Sequence, residues 1–140
     1  MRNALLGIAL CLFASAVNAD DNFEAVKSQL IADNPTVDFS RVRYGNNRLD
    51  LNGTEVSDIS ALSGLPALKW LGLQGTQVSD ISELNGLTAL EILILGDTPV
   101  SDVSALSGLT ALEGLSLTGT PVSDVSALQH MIDSGLRISQ

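Results

Sequence analysis

Leu71-Gly72-Leu73-Gln74-Gly75-Thr76-Gln77-Val78-Ser79-Asp80-Ile81-Ser82-Glu83-Leu84 is one copy of a unit that the chain writes four times. Leu49, Leu71, Leu93 and Leu115 fall at a single 22-residue interval, and Leu51, Leu73, Leu95 and Leu117 keep the same interval. Behind each pair runs Thr-x-Val-Ser-Asp-(Ile/Val)-Ser-x-Leu, from Thr54 to Leu62, Thr76 to Leu84, Thr98 to Leu106 and Thr120 to Leu128. Self-similarity at such a period marks a repeat architecture in which no unit folds alone and stacking buries a continuous core.

Within a unit, Leu-x-Leu has the two-residue period of a short strand with one face buried. The next strand arrives one coil later and is therefore parallel. The chain turns at Gly53-Thr54, Gly75-Thr76 and Gly119-Thr120 and returns through leucines spaced by three, Leu62-Leu65-Leu68 and Leu84-Leu87-Leu90. That spacing suits 3₁₀ or irregular backbone rather than a full α-helix. The expectation is an α/β solenoid with a concave parallel sheet of about five short strands and a thin convex side.

The pattern Leu-x-Leu-x-x-Thr-x-Val-Ser-Asp-Ile-Ser-x-Leu-x-Gly-Leu-x-x-Leu resembles the bacterial internalin-like leucine-rich repeats and covers about two thirds of the chain. The resemblance implies a right-handed β-α superhelix and a role in protein–protein contacts. One departure is that Thr54, Thr76, Thr98 and Thr120 stand where many such repeats carry a buried Asn that bridges turns of backbone. A hydroxyl bonds a backbone group more weakly.

The ends break the pattern. Residues 1–19 read as a secretory signal: Arg2, an apolar run from Ala4 to Val17, then Val17-Asn18-Ala19. Cys11 lies inside that run behind Leu10, a poor lipoprotein site, and is the sole cysteine. Residues 20–48 read as an N-terminal cap and a degenerate half-repeat. Asp21 and Glu24 fit a capping-box-like start, Phe23, Val26, Leu30 and Ile31 share a helix face, Asn34-Pro35 ends it, and Asp38-Phe39-Ser40-Arg41-Val42 copies the return segment. Residues 49–135 hold the four repeats. Residues 136–140 hold a terminal strand, with Leu136-Arg137-Ile138 as a fifth Leu-x-Leu reached 21 residues after Leu115.

Without residues 1–19 the chain keeps six basic and sixteen acidic residues, a net charge of −10, which argues against nucleic acid and anionic membranes as partners. No later segment approaches 18 apolar residues, so the mature chain is expected not to insert in a membrane. There is no catalytic or phosphate-binding motif, and the lone His130 reads as a surface imidazole. The expectation is a non-enzyme without cofactors. The ladder Asp58, Asp80, Asp102 and Asp124 has two readings: a run of calcium sites, or carboxylates that cap each return segment through backbone N–H groups.

The residues that flank the inward leucines point out from the concave sheet and are the positions a repeat scaffold is free to change. They read in rows as Arg48, Asp50, Asn52; Trp70, Gly72, Gln74; Ile92, Ile94, Gly96; Gly114, Ser116, Thr118; with Arg137 and Ser139 from the last strand. Trp70, Ile92 and Ile94 are expected side by side, exposed, with glycines leaving space around them. An apolar patch on an outer face indicates a partner, and the other reading of Trp70 is that it packs under the N-terminal cap or closes against Arg48. The candidate binding set is Arg48, Asp50, Trp70, Gln74, Ile92, Ile94, Ser116 and Arg137, for a protein or peptide, with no catalytic and no metal residues. The alternative is a structural or self-associating envelope protein.

Overall fold

The computed structural model describes residues 19–140; the apolar run and Cys11 of the expected signal lie outside them. Helix α1 (Ala19–Asp33) is followed by a 3₁₀ turn at Phe39–Arg41 and by strands β1 (Arg43–Gly45) and β2 (Arg48–Asp50). Strands β3 (Trp70–Gly72), β4 (Ile92–Ile94) and β5 (Gly114–Ser116) then recur once per coil. A short helix α2 (Gln129–Asp133) leads into β6 (Arg137–Ser139). The six strands form one sheet in chain order, antiparallel between β1 and β2 and parallel from β2 to β6.

Each coil closes by the same physics. Leu49, Leu71, Leu93 and Leu115 stand opposite one another and point inward with Leu51, Leu73, Leu95 and Leu117, all buried. Three residues per coil pair as strand, and the ladder continues past them, with Leu51, Leu73 and Leu95 donating N–H to the carbonyls of Gly72, Ile94 and Ser116 at 2.8–2.9 Å. On the convex side, 3₁₀ turns Ser60–Gly64, Ser82–Gly86 and Ser104–Gly108 lie where the three-residue leucine spacing puts them. Leu62, Leu65 and Leu68 donate in series to Ile59, Leu62 and Leu65, the i→i−3 bonds of that geometry.

The four threonines bond within their own turn rather than across coils. Thr54, Thr76, Thr98 and Thr120 Oγ1 donate to the carbonyls of Leu51, Leu73, Leu95 and Leu117 at 2.6–2.7 Å. The carbonyls of Leu51, Leu73 and Leu117 also accept from the N–H of the same threonine at 3.0–3.2 Å, so hydroxyl and backbone together close the strand-to-return corner.

An asparagine bridge exists at the N-terminal end. Asn34, buried just past α1, donates from Nδ2 to the carbonyls of Leu30 and Asp58 and accepts at Oδ1 from the N–H groups of Ser57 and Asp58. It ties the helix C-terminus to the first return segment. Phe23, Val26 and Leu30 bury against the repeats, and Phe23 stacks on Tyr44 of β1 with ring centroids 3.8 Å apart.

Three expectations are corrected here. Ile31 is 42% exposed, because it lies a further 100° round the helix from Leu30 and leaves the buried stripe. Helix α1 is already running at Ala19, so Asp21 is inside it and not a cap. Leu115 pairs with Ile138, not Leu136, so the last strand comes 23 residues on rather than 21. The extra length is taken up by α2, which ends at Asp133 and is followed by Gly135, φ 116°, before the chain enters β6. A two-residue slip keeps every side chain on its face, so Arg137 still points outward, now beside Gly114.

Candidate functional site

The outward rows are set by register. Arg48, Trp70, Ile92, Gly114 and Arg137 form the first, and Asp50, Gly72, Ile94, Ser116 and Ser139 the second. Trp70 and Ile92 are therefore neighbours, with Ile94 diagonal to Trp70 across Gly72. The cluster is brought together as the spacing predicts, yet its three members are half-buried rather than exposed. The reason is lateral packing. The Arg48 guanidinium carbon sits 3.6 Å from the Trp70 ring centre, a cation–π contact. The indole lies down over Gly72, where a Cβ would come within 2.6 Å of Trp70 Cη2 and within 2.8 Å of both polar atoms of the Asn52 amide. A Cβ on Gly114 would meet Ile92 Cδ1 at 2.9 Å. The two glycines are thus filled seats, Gly72 for Trp70 of its own strand and Gly114 for Ile92 of the preceding strand, not open space.

A polar seam edges the cluster. Arg48 and Asp50 approach to 3.9 Å, Asp50 Oδ1 accepts from Asn52 N at 3.1 Å, and Asn52 Oδ1 accepts from Gln74 N at 2.8 Å. Gln74 Nε2 then donates to Asp97 Oδ2 at 3.3 Å. Asp97 has φ 54° at the corner where the other coils place Gly53, Gly75 and Gly119, all at positive φ. This left-handed backbone is costly for a residue with a Cβ. At the opposite edge Lys69 and Glu91 pair at 2.9 Å, one coil apart, which holds the ammonium charged.

Two hollows open beside the rows. The larger, about 670 Å³, lies between Ile92, Glu113, Gly114 and Arg137 on one side and His130 and Met131 on the other. His130 is exposed, with Nε2 3.1 Å from the Ser107 carbonyl. The smaller, about 340 Å³, lies at the β1–β2 hairpin between Arg43, Tyr44, Arg48 and Asp50. Sequence reading missed that hairpin and Arg43, which stands directly opposite Asp50 and so shares its face. The signal was present: Asn46-Asn47 sits between Tyr44-Gly45 and Arg48-Leu49, and both asparagines take positive φ, the requirement of a type I′ turn.

The aspartate ladder is occupied by backbone. Asp38, Asp58, Asp80, Asp102 and Asp124 accept from the N–H two residues on at 2.8–2.9 Å, at Ser40, Ser60, Ser82, Ser104 and Ser126. These bonds hold all five carboxyls below the usual range. The backbone N–H is the larger cause at Asp38, Asp58 and Asp80, and the serine hydroxyl at Asp102 and Asp124. Among the described residues no three His, Cys, Asp or Glu side chains come together in a way that could hold a metal ion.

The family described as leucine rich repeats, in a two-copy signature, matches residues 66–108. Among solved structures 90 chains match, and they include internalins from Listeria monocytogenes str. 4b F2365. With the internalin InlF the identity is 36% and the TM-score 0.56, over 59% of this chain and 24% of that one. With internalin C2 the identity is 33% and the TM-score 0.59, over 64% of this chain and 38% of that one. The chain thus spans well under half the length of either. No curated protein sequence matches it.

Proposed function

We propose that this chain, whose leucine-rich repeats are similar to those of the internalins, is an exported, non-catalytic binding module whose concave sheet recognises a protein or peptide through Trp70, Ile92 and Ile94. The carrying observation is the contrast within β2 to β5: the inward position is leucine in all four, whereas the outward cluster gathers the only tryptophan and two isoleucines in the middle of the sheet. A half-buried indole already ordered by Arg48 and Gly72 loses little freedom on binding. Arg48, Asp50, Gln74, Ser116 and Arg137 surround it as polar positions that a ligand can read. Export is supported by the apolar run of residues 4–17, and no helix among the described residues is long and apolar enough to cross a membrane.

The test is affinity capture from envelope and secreted extracts with the wild type beside a Trp70→Ala, Ile94→Asp variant shown by circular dichroism to be folded. A partner retained by the wild type alone supports the reading. Equal recovery by both removes it. The second reading, self-association, is favoured by β6, which has a sheet neighbour on one side only among the described residues. It requires a mass in sedimentation that rises with concentration and is unchanged in the double variant.

A further inference from the structure

We propose that the segment bound on the concave face is acidic at one end and apolar a few residues on, with its carboxylates at the β1–β2 hairpin and a large apolar side chain in the hollow beside Ile92. This rests on the reading of the concave sheet as the binding surface and adds the chemistry and the direction of its ligand.

The charge distribution carries it. From Leu51 to Gln140 the chain has ten acidic and two basic residues, and one of those two, Lys69, is already paired with Glu91. The outward face of the sheet is the exception. Its strands carry Arg43, Arg48 and Arg137 against Asp50 alone. Arg43 is exposed and forms no ion pair among the described residues, and Arg48 is exposed above the indole with Asp50 at 3.9 Å. A basic partner is drawn to almost any other part of this surface, so electrostatics does not bring it to the cluster. An acidic partner is repelled by most of the surface and finds its attractive corner beside Trp70. Such a distribution selects both partner and orientation.

The length follows from the sheet. From β2 to β5 there are three inter-strand steps of about 4.8 Å, about 14 Å in all, which an extended chain covers in about four residues. A carboxylate held at Arg43 and Arg48 therefore places a side chain four or five positions along at the 670 Å³ hollow, whose walls include Ile92 and Met131. The stretch between them crosses Trp70 and Ile92. Arginine presents a planar donor fork to a carboxylate, and Arg43 and Arg48 both border the smaller hollow where one would rest.

The experiment selects binders from a displayed library of random dodecapeptides on the immobilised protein, then measures the recovered peptides against Arg43→Glu, Arg48→Gln and Trp70→Ala variants of unchanged melting temperature. The expected peptides share Asp or Glu four or five positions from Leu, Ile, Met or Phe. Their affinity falls about tenfold in Arg43→Glu and again between low and high salt. Should Arg48→Gln disturb the hairpin, the exposed Arg43→Glu change alone decides. Peptides that need Trp70 but show no acidic enrichment, or bind Arg43→Glu equally, overturn the inference and leave the concave-face reading standing. Peptides indifferent to Trp70 as well, or no binders at all, overturn both. Competition by oligothymidylate or by anionic lipid vesicles that depends on Arg43 but not on Trp70 assigns the arginines to a polyanion and also overturns it.

Discussion

Two neighbouring residues on one strand, Trp70 and Leu71, have opposite histories along the solenoid. Leu71 has a leucine above and below it in every coil, and each is buried. Trp70 has arginine on one side and isoleucine on the other, then glycine and arginine further along. The inner row repeats because every coil must fill the same space at the density of a protein interior. The outer row is free of that demand and differs at almost every step. Fold and recognition are thus divided within a single three-residue strand by the direction in which a side chain points.

That division is broken most forcefully from inside. Leu93→Ala, in the middle of the fully buried ladder, is expected to cost about 2–5 kcal/mol in urea unfolding. Ile94→Ala, one residue on and half-buried, is expected to cost at most about 1 kcal/mol, and equal costs would erase the distinction. Gly72→Ala probes the outer row's own packing. Its Cβ has no room beside Trp70 Cη2 and the Asn52 amide, so the indole is forced up into solvent. We expect a red-shifted emission from the only tryptophan and a loss of about 1–3 kcal/mol.

Much of this was legible in the sequence. The 22-residue interval places every inner leucine, the threes predict the 3₁₀ turns, and the alternation assigns the outward rows. What was not legible depends on contacts between rows or on breaks in the period. That Trp70 closes against Arg48 was one of two readings the row allowed, whereas its seat over Gly72 was not legible, because no period encodes sideways packing. The pairing of Ile138 with Leu115 depends on α2 lengthening the last coil, which a fixed interval cannot anticipate. The β1–β2 hairpin has no Leu-x-Leu of its own and was passed over, although its Asn-Asn turn was readable.

Asp97→Gly restores the residue that the other coils use at the same positive-φ corner and is expected to raise stability by up to about 1 kcal/mol. It also removes the bond from Gln74, so weaker ligand binding in the more stable variant would assign Asp97 to the outer, functional set. The aspartates that cap the return segments are exposed yet serve the fold, not recognition. Their carboxyls are lowered in the fold, so their contribution is complete above the unfolded-state value of about 3.9 and is lost as pH falls through the folded values below it. Stability should therefore be flat with respect to these groups from pH 7 to about 5 and decline below about 4, and a decline centred near pH 6 would contradict the assignment.

The most direct test is acrylamide quenching of Trp70, the chain's only tryptophan, with and without a captured partner or selected peptide. If the concave face is the binding surface, saturation shields the indole, shifts its emission to the blue, and Trp70→Ala weakens binding by about tenfold or more. If the ligand saturates while the emission and quenching of Trp70 stay as they were, and Trp70→Ala binds as tightly, recognition takes place elsewhere on the solenoid.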